Sequence, residues 1–318
     1  MVIETDTLIL GAGLTGLTVA AGLRRDGGAP VVLEKSRGTG GRCATRRVGD
    51  LRFDHGCQVL RPKDAAVAAA LEALERAGAA ARWDQAAANA PAWVGLPGMS
   101  GLVKPLGHGT DIRTGVRATH ARREGDAWRV TDAQGTVIAT AARLICAIPA
   151  PQAAQVLAGH PLAARIAAVV MDPCWTLMAA FDSRPDLPDV LATPGTALPW
   201  IARDGSKPGR GTQTWVAQAS PDWTRAHLDL SQDDAAIALL AELRSRAGGT
   251  LPGASYCAAH RWLYAQAAVP LGEACLSDPA SGLVVAGDWC LGPRAEHAML
   301  SANAALAALR APAAMVAD

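Results

Sequence analysis

The chain has 318 residues, half of them hydrophobic, and a mean hydropathy of +0.14. This composition excludes an intrinsically disordered chain and provides enough apolar residues for the cores of two domains. Thirty basic residues face 29 acidic ones, and the resulting net charge of +1 favours neither nucleic acid nor an anionic membrane as a partner.

The cysteines indicate a reducing compartment. They are scattered and include no C-x-x-C pair, so the sequence predicts no disulfide framework, no bound metal and a cytoplasmic location. The apolar stretch from Leu8 to Leu23 follows acidic residues and contains glycines, so we interpret it as a buried strand and helix rather than a targeting sequence. No later stretch reaches the roughly 18 uninterrupted apolar residues of a membrane span.

The first predicted elements form the opening half of a βαβ unit. A strand over Thr7–Leu10 stops at Gly11, and a helix over Thr15–Arg25 follows directly. The apolar run Val31–Glu34 then predicts a second buried strand, parallel to the first. Short connections of this kind are typical of a right-handed parallel crossover.

Beyond this unit the pattern changes. Residues 65–81 have helical spacing, whereas several short polar strands separated by glycine turns predict a β-meander that returns the chain to the first sheet. A Pro- and Trp-rich stretch predicts a second domain, and the chain closes with a strand over Gly282–Ala286 and a helix over Glu296–Leu309. The predicted meander strands are Asp111–Val116, Ala127–Asp132, Thr136–Ala139 and Arg143–Ile148.

The turn after the first strand carries a G-x-G-x-x-G motif formed by Gly11, Gly13 and Gly16, with Thr15 inside it. These glycines permit a tight turn, a close approach to a pyrophosphate and close packing of helix on strand. Glu34 ends the next strand, where a carboxylate can accept both hydroxyls of an adenosine ribose. The alternatives are a glycine turn without a ligand and a solvated acid.

A second glycine cluster follows immediately. Gly40 and Gly41 supply bare amides and Arg42 supplies a fixed cation, which together suit a second part of a diphosphate. A plain NAD dehydrogenase has no need of this pair just beyond the ribose acid, so the sequence predicts FAD. A flexible loop is the alternative.

These motifs predict an α/β fold in two domains. Residues 1–64, 107–149 and 280–318 are expected to form a Rossmann-type FAD-binding domain with a parallel sheet and the β-meander. Residues 65–106 and 150–279 are expected to form an α+β substrate domain with a mixed or antiparallel sheet.

The segment E-K-S-R-G-T-G-G-R over residues 34–42, followed by D-H-G-C-Q over residues 54–58, resembles the flavin amine oxidase superfamily and, within it, the renalase branch. The resemblance extends over nearly the whole chain, because four further motifs follow in the same order. They are W-V-G-L-P-G-M-S (93–100), I-C-A-I-P-A-P-Q (145–152), A-H-R-W-L-Y-A (259–265) and A-G-D-W-C-L-G (286–292).

The resemblance implies a set of FAD contacts. Val116 would offer its backbone to the adenine, Asp288 would bind the diphosphate or ribityl chain, and the helix starting near Glu296 would direct its N-terminus at the flavin. That helix also has an ordinary explanation, since its apolar residues can pack on the sheet. The implied contact residues are Thr15, Glu34, Lys35, Arg42, Cys57, Gln58, Val116, Asp288, Glu296, His297 and Ala298.

No residue is predicted as catalytic, because hydride transfer to a flavin needs no acid or base. His260, Trp262 and Tyr264 alternate with a period of two, which predicts one face of a strand that could stack a flat ring or simply pack in a core. Arg37, Arg46 and Arg47 could bind the phosphates of a dinucleotide or be solvated. Further substrate-side candidates are Gln58, His55 and His297, and a structural or solvent-facing role is the alternative for the two histidines.

The resemblance implies oxidation of isomeric dihydro-NAD(P), with oxygen as acceptor and hydrogen peroxide as product. The chain departs from bacterial relatives at residues 57–62, C-Q-V-L-R-P, where an aromatic run is lost. The scarcity of tyrosine, with only two residues for the pair that cages amines in monoamine oxidases, weighs against an ordinary amine oxidase. So do the four lysines, none of which lies in an evident flavin N5 position. Cys290 lacks the context for covalent flavin attachment, which predicts non-covalent FAD. The alternatives are an amine oxidase or desaturase of another small metabolite, and a non-catalytic flavin-binding sensor.

Overall fold

The computed structural model describes residues 2–86 and 90–311, and none of the helices within these ranges is long and apolar enough to span a bilayer. The helices are α1 (Leu14–Arg25), α2 (Ala65–Arg76), α3 (Ser100–Val103), α4 (Ala150–Val156), α5 (Leu162–Ala167), α6 (Pro221–Ala226), α7 (Gln232–Arg246) and α8 (Ala295–Arg310). The strands are β1 (Ile3–Leu10), β2 (Val31–Glu34), β3 (Arg46–Val48), β4 (Leu51–Phe53), β5 (Ala80–Arg82), β6 (Trp93–Gly95), β7 (Asp111–Thr114), β8 (His120–Glu124), β9 (Ala127–Thr131), β10 (Val137–Cys146), β11 (Val170–Phe181), β12 (Val190–Ala192), β13 (Trp200–Arg203), β14 (Thr214–Gln218), β15 (Ala254–Val269), β16 (Leu276–Asp278) and β17 (Leu283–Val285).

The chain forms two compact units. The first unit contains the residues up to 41, residues 103–171 and the residues from 266 onward, and the second contains residues 42–102 and 172–265. These units differ from the domains predicted above. Residues 42–64, predicted in the FAD-binding domain, lie in the second unit, and residues 150–171, predicted in the substrate domain, lie in the first. The predicted domain bounds stay a prediction.

The first unit is built on a largely parallel sheet with the strand order β16-β17-β10-β1-β2-β7. The pairs β1–β10, β1–β2, β2–β7 and β10–β17 are parallel. All four residues of β2 are buried, as expected for a parallel strand covered on both faces. Helix α1 approaches α8 at Gly22, where an added Cβ would lie 2.3 Å from Leu306 Cδ1. The predicted Rossmann-type arrangement is confirmed.

The meander consists of β8, β9 and β10, which pair antiparallel in sequence order. The strand predicted over Asp111–Val116 is not part of it, because β7 pairs parallel with β2. The strands predicted over Thr136–Ala139 and Arg143–Ile148 are one continuous strand, β10, and β8 was not predicted at all. Ala121 is the one buried residue among the five of β8, so this edge strand lacks the apolar pattern that would reveal it.

The second unit contains a five-stranded sheet with the order β12-β13-β14-β11-β15. The pairs β12–β13, β13–β14 and β11–β14 are antiparallel, which confirms the predicted antiparallel α+β domain. One cluster of buried side chains packs the sheet on α7, and a smaller cluster includes Phe53, Met178 and Val216. Alternation along β11 separates the two clusters, because Leu177 and Ala179 belong to the first and Met178 to the second.

We expect Gly16→Ala to lower the free energy of unfolding by about 2–3 kcal/mol, a fall in Tm on the order of 5 °C. The added Cβ would lie 2.0 Å from Gly11 O, and a backbone atom cannot move aside as a flexible side chain can. Thermal unfolding followed by circular dichroism measures the effect. Gly38→Ala is the matched control, since an added Cβ there meets no atom within 4 Å, and equal Tm values for the two variants would contradict the expectation.

Candidate functional site

The turn between β1 and α1 leaves bare backbone at the N-terminus of α1. Gly11 has φ +102°, and a Cβ added to it would lie 2.7 Å from Ala147 O, so this position and Gly16 require glycine for packing. A Cβ added at Gly13 would meet no atom within 4 Å, so the space beside this residue is open. Helix α1 has no side-chain cap and no acid in its first turn, which leaves its amides available to an anion.

The two glycine clusters singled out in the sequence lie against each other. The Gly40 amide donates to Ala12 O over 2.8 Å, and Gly13 and Gly40 form a parallel bridge. Gly41 has φ +53°, and a Cβ there would lie 3.4 Å from Gly13 Cα. The two turns therefore present one continuous surface of main-chain groups, although 27 positions separate Gly13 from Gly40.

Glu34 lies beside this surface and is buried. Its Oε2 accepts from the Ala12 amide at 2.9 Å and its Oε1 from the Ser36 amide at 2.8 Å. A carboxylate has about four acceptor positions, so both oxygens can still accept from the hydroxyls of a ribose. The Val116 amide donates to Glu34 O at 3.0 Å, so its carbonyl oxygen is the backbone atom that it could offer to a ligand. Lys35 is exposed next to Glu34.

This arrangement fits the adenosine diphosphate part of a dinucleotide cofactor. The open space at Gly13 and the uncapped N-terminus of α1 suit a phosphate. The Glu34 carboxylate, which still has acceptor capacity, suits a ribose. Thr15 is buried in the first turn of the same helix.

The first turn of α8 carries more charge than the sequence suggested. Glu296 is buried and forms an ion pair with Arg294, the residue that precedes the helix. His297 Nδ1 accepts from the Arg294 amide at 3.4 Å, and Ala298 is buried. Asp288, also buried, begins the short helical turn after β17. The Arg294 guanidinium offsets the charge of the Glu296 carboxylate at the start of this helix.

In the second unit, three rings form a cluster. The His55 ring centroid lies 4.9 Å from that of His260 and 5.2 Å from that of Trp262, and the last two are 4.4 Å apart. Trp262 Nε1 donates to His55 O over 2.7 Å. His260 and Trp262 lie on β15 at a spacing of two, which confirms the strand that was predicted, and Tyr264 continues the alternation as a half-buried residue.

Both histidines of this cluster are neutral near pH 7. Burial lowers the pKa of His55 to about 4, and the neighbouring His260 and Arg46 act in the same direction. Burial and the Arg46 charge likewise lower the pKa of His260 to about 4. The cluster is therefore a wall of uncharged rings that can stack on a flat group or exchange hydrogen bonds with it.

The second unit also contains four buried charges, which we call the ion quartet: Asp54, Asp204, Lys207 and Arg210. Lys207 Nζ lies 2.9 Å from Asp54 Oδ2 and 2.6 Å from Asp204 Oδ1. Arg210 Nη2 lies 2.6 Å from Asp54 Oδ2, and its Nη1 pairs with Asp204. Burial would raise the pKa of Asp54, but Lys207 and Arg210 outweigh it and lower that pKa to about 2. Sequence reasoning missed this quartet.

Gln58 faces the ion quartet. Its Nε2 donates to Asp54 O, and its Oε1 accepts from Lys207 Nζ at 3.4 Å. The preceding residue, Cys57, donates its amide to Arg42 O over 2.7 Å. Arg42 Nη1 in turn donates to Ala265 O, in β15, at 3.0 Å. The residues of the D-H-G-C-Q motif thus lie in one bonded loop.

The hairpin β3–β4 carries three arginines. Arg47 lies directly opposite Arg52, and Arg46 begins the first strand. In the described part of the chain these three side chains form no ion pair, and Arg52 Nε is buried without a hydrogen-bond partner. Asp50, at the turn, is the one acid among residues 46–53. Like charges directly opposite each other on paired strands repel, so Arg47 and Arg52 destabilise the hairpin as long as no anion lies between them.

We expect stability to fall as the pH drops from 6.5 towards 4. The unfolded chain takes up protons at His55 and His260 near the ordinary pKa of 6.5, whereas the folded chain takes them up only near pH 4. The loss for His55 is at most about 3 kcal/mol. Urea unfolding at pH 7 and pH 4.5 measures it. His55→Gln should reduce the difference, while a variant of the exposed His108, His108→Gln, should leave it unchanged; the opposite result contradicts the expectation.

Two solved structures show the same fold at low sequence identity. A candidate protoporphyrinogen oxidase from Exiguobacterium sp. 255-15 is 14% identical, with 97% of this chain and 99% of that chain covered and a TM-score of 0.77. Cyclohexylamine oxidase from Brevibacterium oxydans is 13% identical, with 96% and 98% covered and a TM-score of 0.68.

A third similar structure is putrescine oxidase bound to putrescine, at 13% identity, 97% and 99% coverage and a TM-score of 0.68. Residues 9–74 match the NAD(P)-binding Rossmann-like domain, and residues 69–308 match the flavin containing amine oxidoreductases. Since the second match spans most of the chain, the protein belongs to the flavin containing amine oxidoreductase family and is an FAD-dependent oxidoreductase.

Proposed function

We propose that the protein is a renalase-like oxidase that converts isomeric dihydro-NAD(P) to the normal oxidised nicotinamide, with oxygen as acceptor and hydrogen peroxide as product. FAD, when bound, supplies the hydride acceptor and passes the electrons to oxygen. The protein's own residues have to bind the dinucleotide, orient its nicotinamide and exclude water.

The arginine hairpin is the observation that carries this proposal. Arg47 and Arg52 face each other on one side of the two paired strands without a carboxylate partner in the described ranges, and a diphosphate would relieve the repulsion between them. Arg46 lies on the opposite face of the hairpin, because successive side chains of a strand alternate. A dinucleotide carries such a diphosphate, whereas a simple amine does not.

The ring cluster supports the same substrate class. Arg46 is close enough to lower the pKa of both His55 and His260, so its positive charge acts on this wall. A protonated amine would be repelled there, whereas an uncharged dihydropyridine ring can stack on the imidazoles and the indole of Trp262. Hydride donation by a dihydropyridine releases no proton at the reacting carbon, so the absence of a charged base among these rings is compatible with it.

For the cofactor, we propose that the two glycine turns bind the diphosphate, that Glu34 accepts from the adenosine ribose and that Asp288 and the start of α8 bind the remaining part. We further propose that FAD is bound non-covalently, and the state of the Cys290 thiol supports this. Cys290 is fully buried, and burial raises its pKa to about 12, so its thiolate is scarce near neutral pH and the residue is unreactive.

Purified protein should be yellow, and acid precipitation should release the flavin into the supernatant. Under anaerobic conditions, isomeric dihydro-NAD(P) should bleach the flavin within seconds, and peroxide should form once oxygen is admitted. The same mixing with putrescine and cyclohexylamine tests the amine oxidase alternative. Faster bleaching by an amine would overturn the proposal, and a flavin that no donor reduces would point to a sensor.

Arg47→Gln and Arg52→Gln should each raise KM for the dinucleotide about tenfold or more, which corresponds to about 1.4 kcal/mol. The reason is the loss of one charge-assisted contact to the diphosphate. The matching dihydronicotinamide riboside, which lacks phosphate, should show little change. Arg122→Gln, an exposed arginine of β8 in the first unit, is the control. Equal effects on dinucleotide and riboside would show that the hairpin does not bind phosphate.

A further inference from the structure

We propose that the ion quartet is a positioning device for residues 55–58, and that Lys207 and Arg210 act on the reaction through this loop without touching the substrate. The inference rests on the proposed function only for the choice of substrate, since the loop itself is defined by its own contacts. The ion quartet joins distant parts of the chain. Asp54 directly precedes the loop, whereas the other three charged residues lie between positions 204 and 210.

The ion quartet is buried and balanced. The side chains of Asp54, Asp204 and Lys207 are 0% exposed and that of Arg210 is 3% exposed. Each carboxylate contacts both cations, so the two negative and two positive charges cancel. Lys207 Nζ also lies 5.2 Å from the centre of the Trp83 ring, which closes this side of the ammonium group. Charges at this depth have no water to compensate a lost partner.

Asp54 joins this network to two further segments. Its Oδ1 accepts from Thr45 Oγ1 at 2.7 Å and from the Met99 amide at 2.9 Å, while its own amide donates to Asp204 Oδ2 at 3.1 Å. One carboxylate therefore links residues near 45, 99 and 204. These bonds hold Asp54 in place, and the loop of residues 55–58 follows it directly.

The loop that follows is bonded on its other side as well. His55 O accepts from Trp262 Nε1, and Gly56 O accepts from Gln218 Nε2 over 2.7 Å. A Cβ at Gly56 would lie 2.1 Å from Arg42 O, so the loop has no room to shift in that direction. The quartet and these contacts together determine where the His55 ring lies relative to His260 and Trp262.

Lys207 has a specific effect on Gln58. An ammonium group donates and never accepts, so it selects the amide orientation in which Oε1 faces Nζ and Nε2 faces the Asp54 carbonyl. A methionine at 207 would fill similar space but would remove the donor to Oε1, so the Gln58 amide would be held only through Nε2. Loss of this bond in a filled core separates a positioning role from simple filling of the core.

The test compares Lys207→Met with the charge-balanced double variant Lys207→Met/Asp204→Asn. The single variant leaves one uncompensated negative charge and should lower Tm strongly, whereas the double variant should regain most of that Tm. In both variants the backbone amide hydrogens of residues 55–58 should exchange with deuterium at least tenfold faster than in wild type, while the exchange rates in α7 stay unchanged. With the donor that bleaches wild-type flavin, kcat should fall tenfold or more in both, with KM within threefold.

Arg225→Gln, which breaks the ion pair with Asp172 in the same unit, is the control and should change neither exchange at 55–58 nor kcat. The inference is overturned if the double variant exchanges residues 55–58 at the wild-type rate, if exchange rises evenly throughout the second unit, or if kcat stays within twofold of wild type. Exchange does not depend on the substrate. Wild-type protein that oxidises only amines would therefore refute the proposed function without affecting this result.

Discussion

Close backbone contact at the turn after β1 is the constraint on which the first unit depends. Gly16 lies where any side chain would collide with Gly11 O, and Gly11 lies where any side chain would collide with Ala147 O. Strand β1, helix α1 and the end of β10 can meet only because these positions carry no Cβ. The same turn leaves the Gly13 backbone and the start of α1 uncovered, so close packing and main-chain amides available to an anion occur at one place.

The second unit depends on charge balance instead of close backbone packing. Its ion quartet has no net charge, and its ring cluster consists of neutral imidazoles and an indole, whereas the arginines of the nearby hairpin form no ion pair with any residue that the structure describes. Charges that compensate each other can be removed from water, whereas Arg46 and Arg47 lie at the surface.

The fold was predictable where the pattern was strong and local. The strand, glycine turn, helix and buried strand at the start, and helix α8 at the end, were found from apolar periodicity and glycine placement. Strand β8 was not, because its residues H-A-R-R-E resemble a loop and only pairing with β9 makes them a strand. Strand β7 was assigned to the wrong neighbours, since no local pattern states which strand a polar segment will join.

The sequence by itself predicted the FAD cofactor, which the family match confirms, because the glycine turns and Glu34 are close along the chain. The roles of these residues in binding FAD stay a prediction. It also placed His260 and Trp262 on one strand face through their alternation. Only the tertiary structure decided that His55 joins those rings and that Asp54 meets Lys207, some 150 positions away. The spacing of residues along the chain does not predict such pairings. They arise because loops from distant segments pack together and because charges removed from water need a partner.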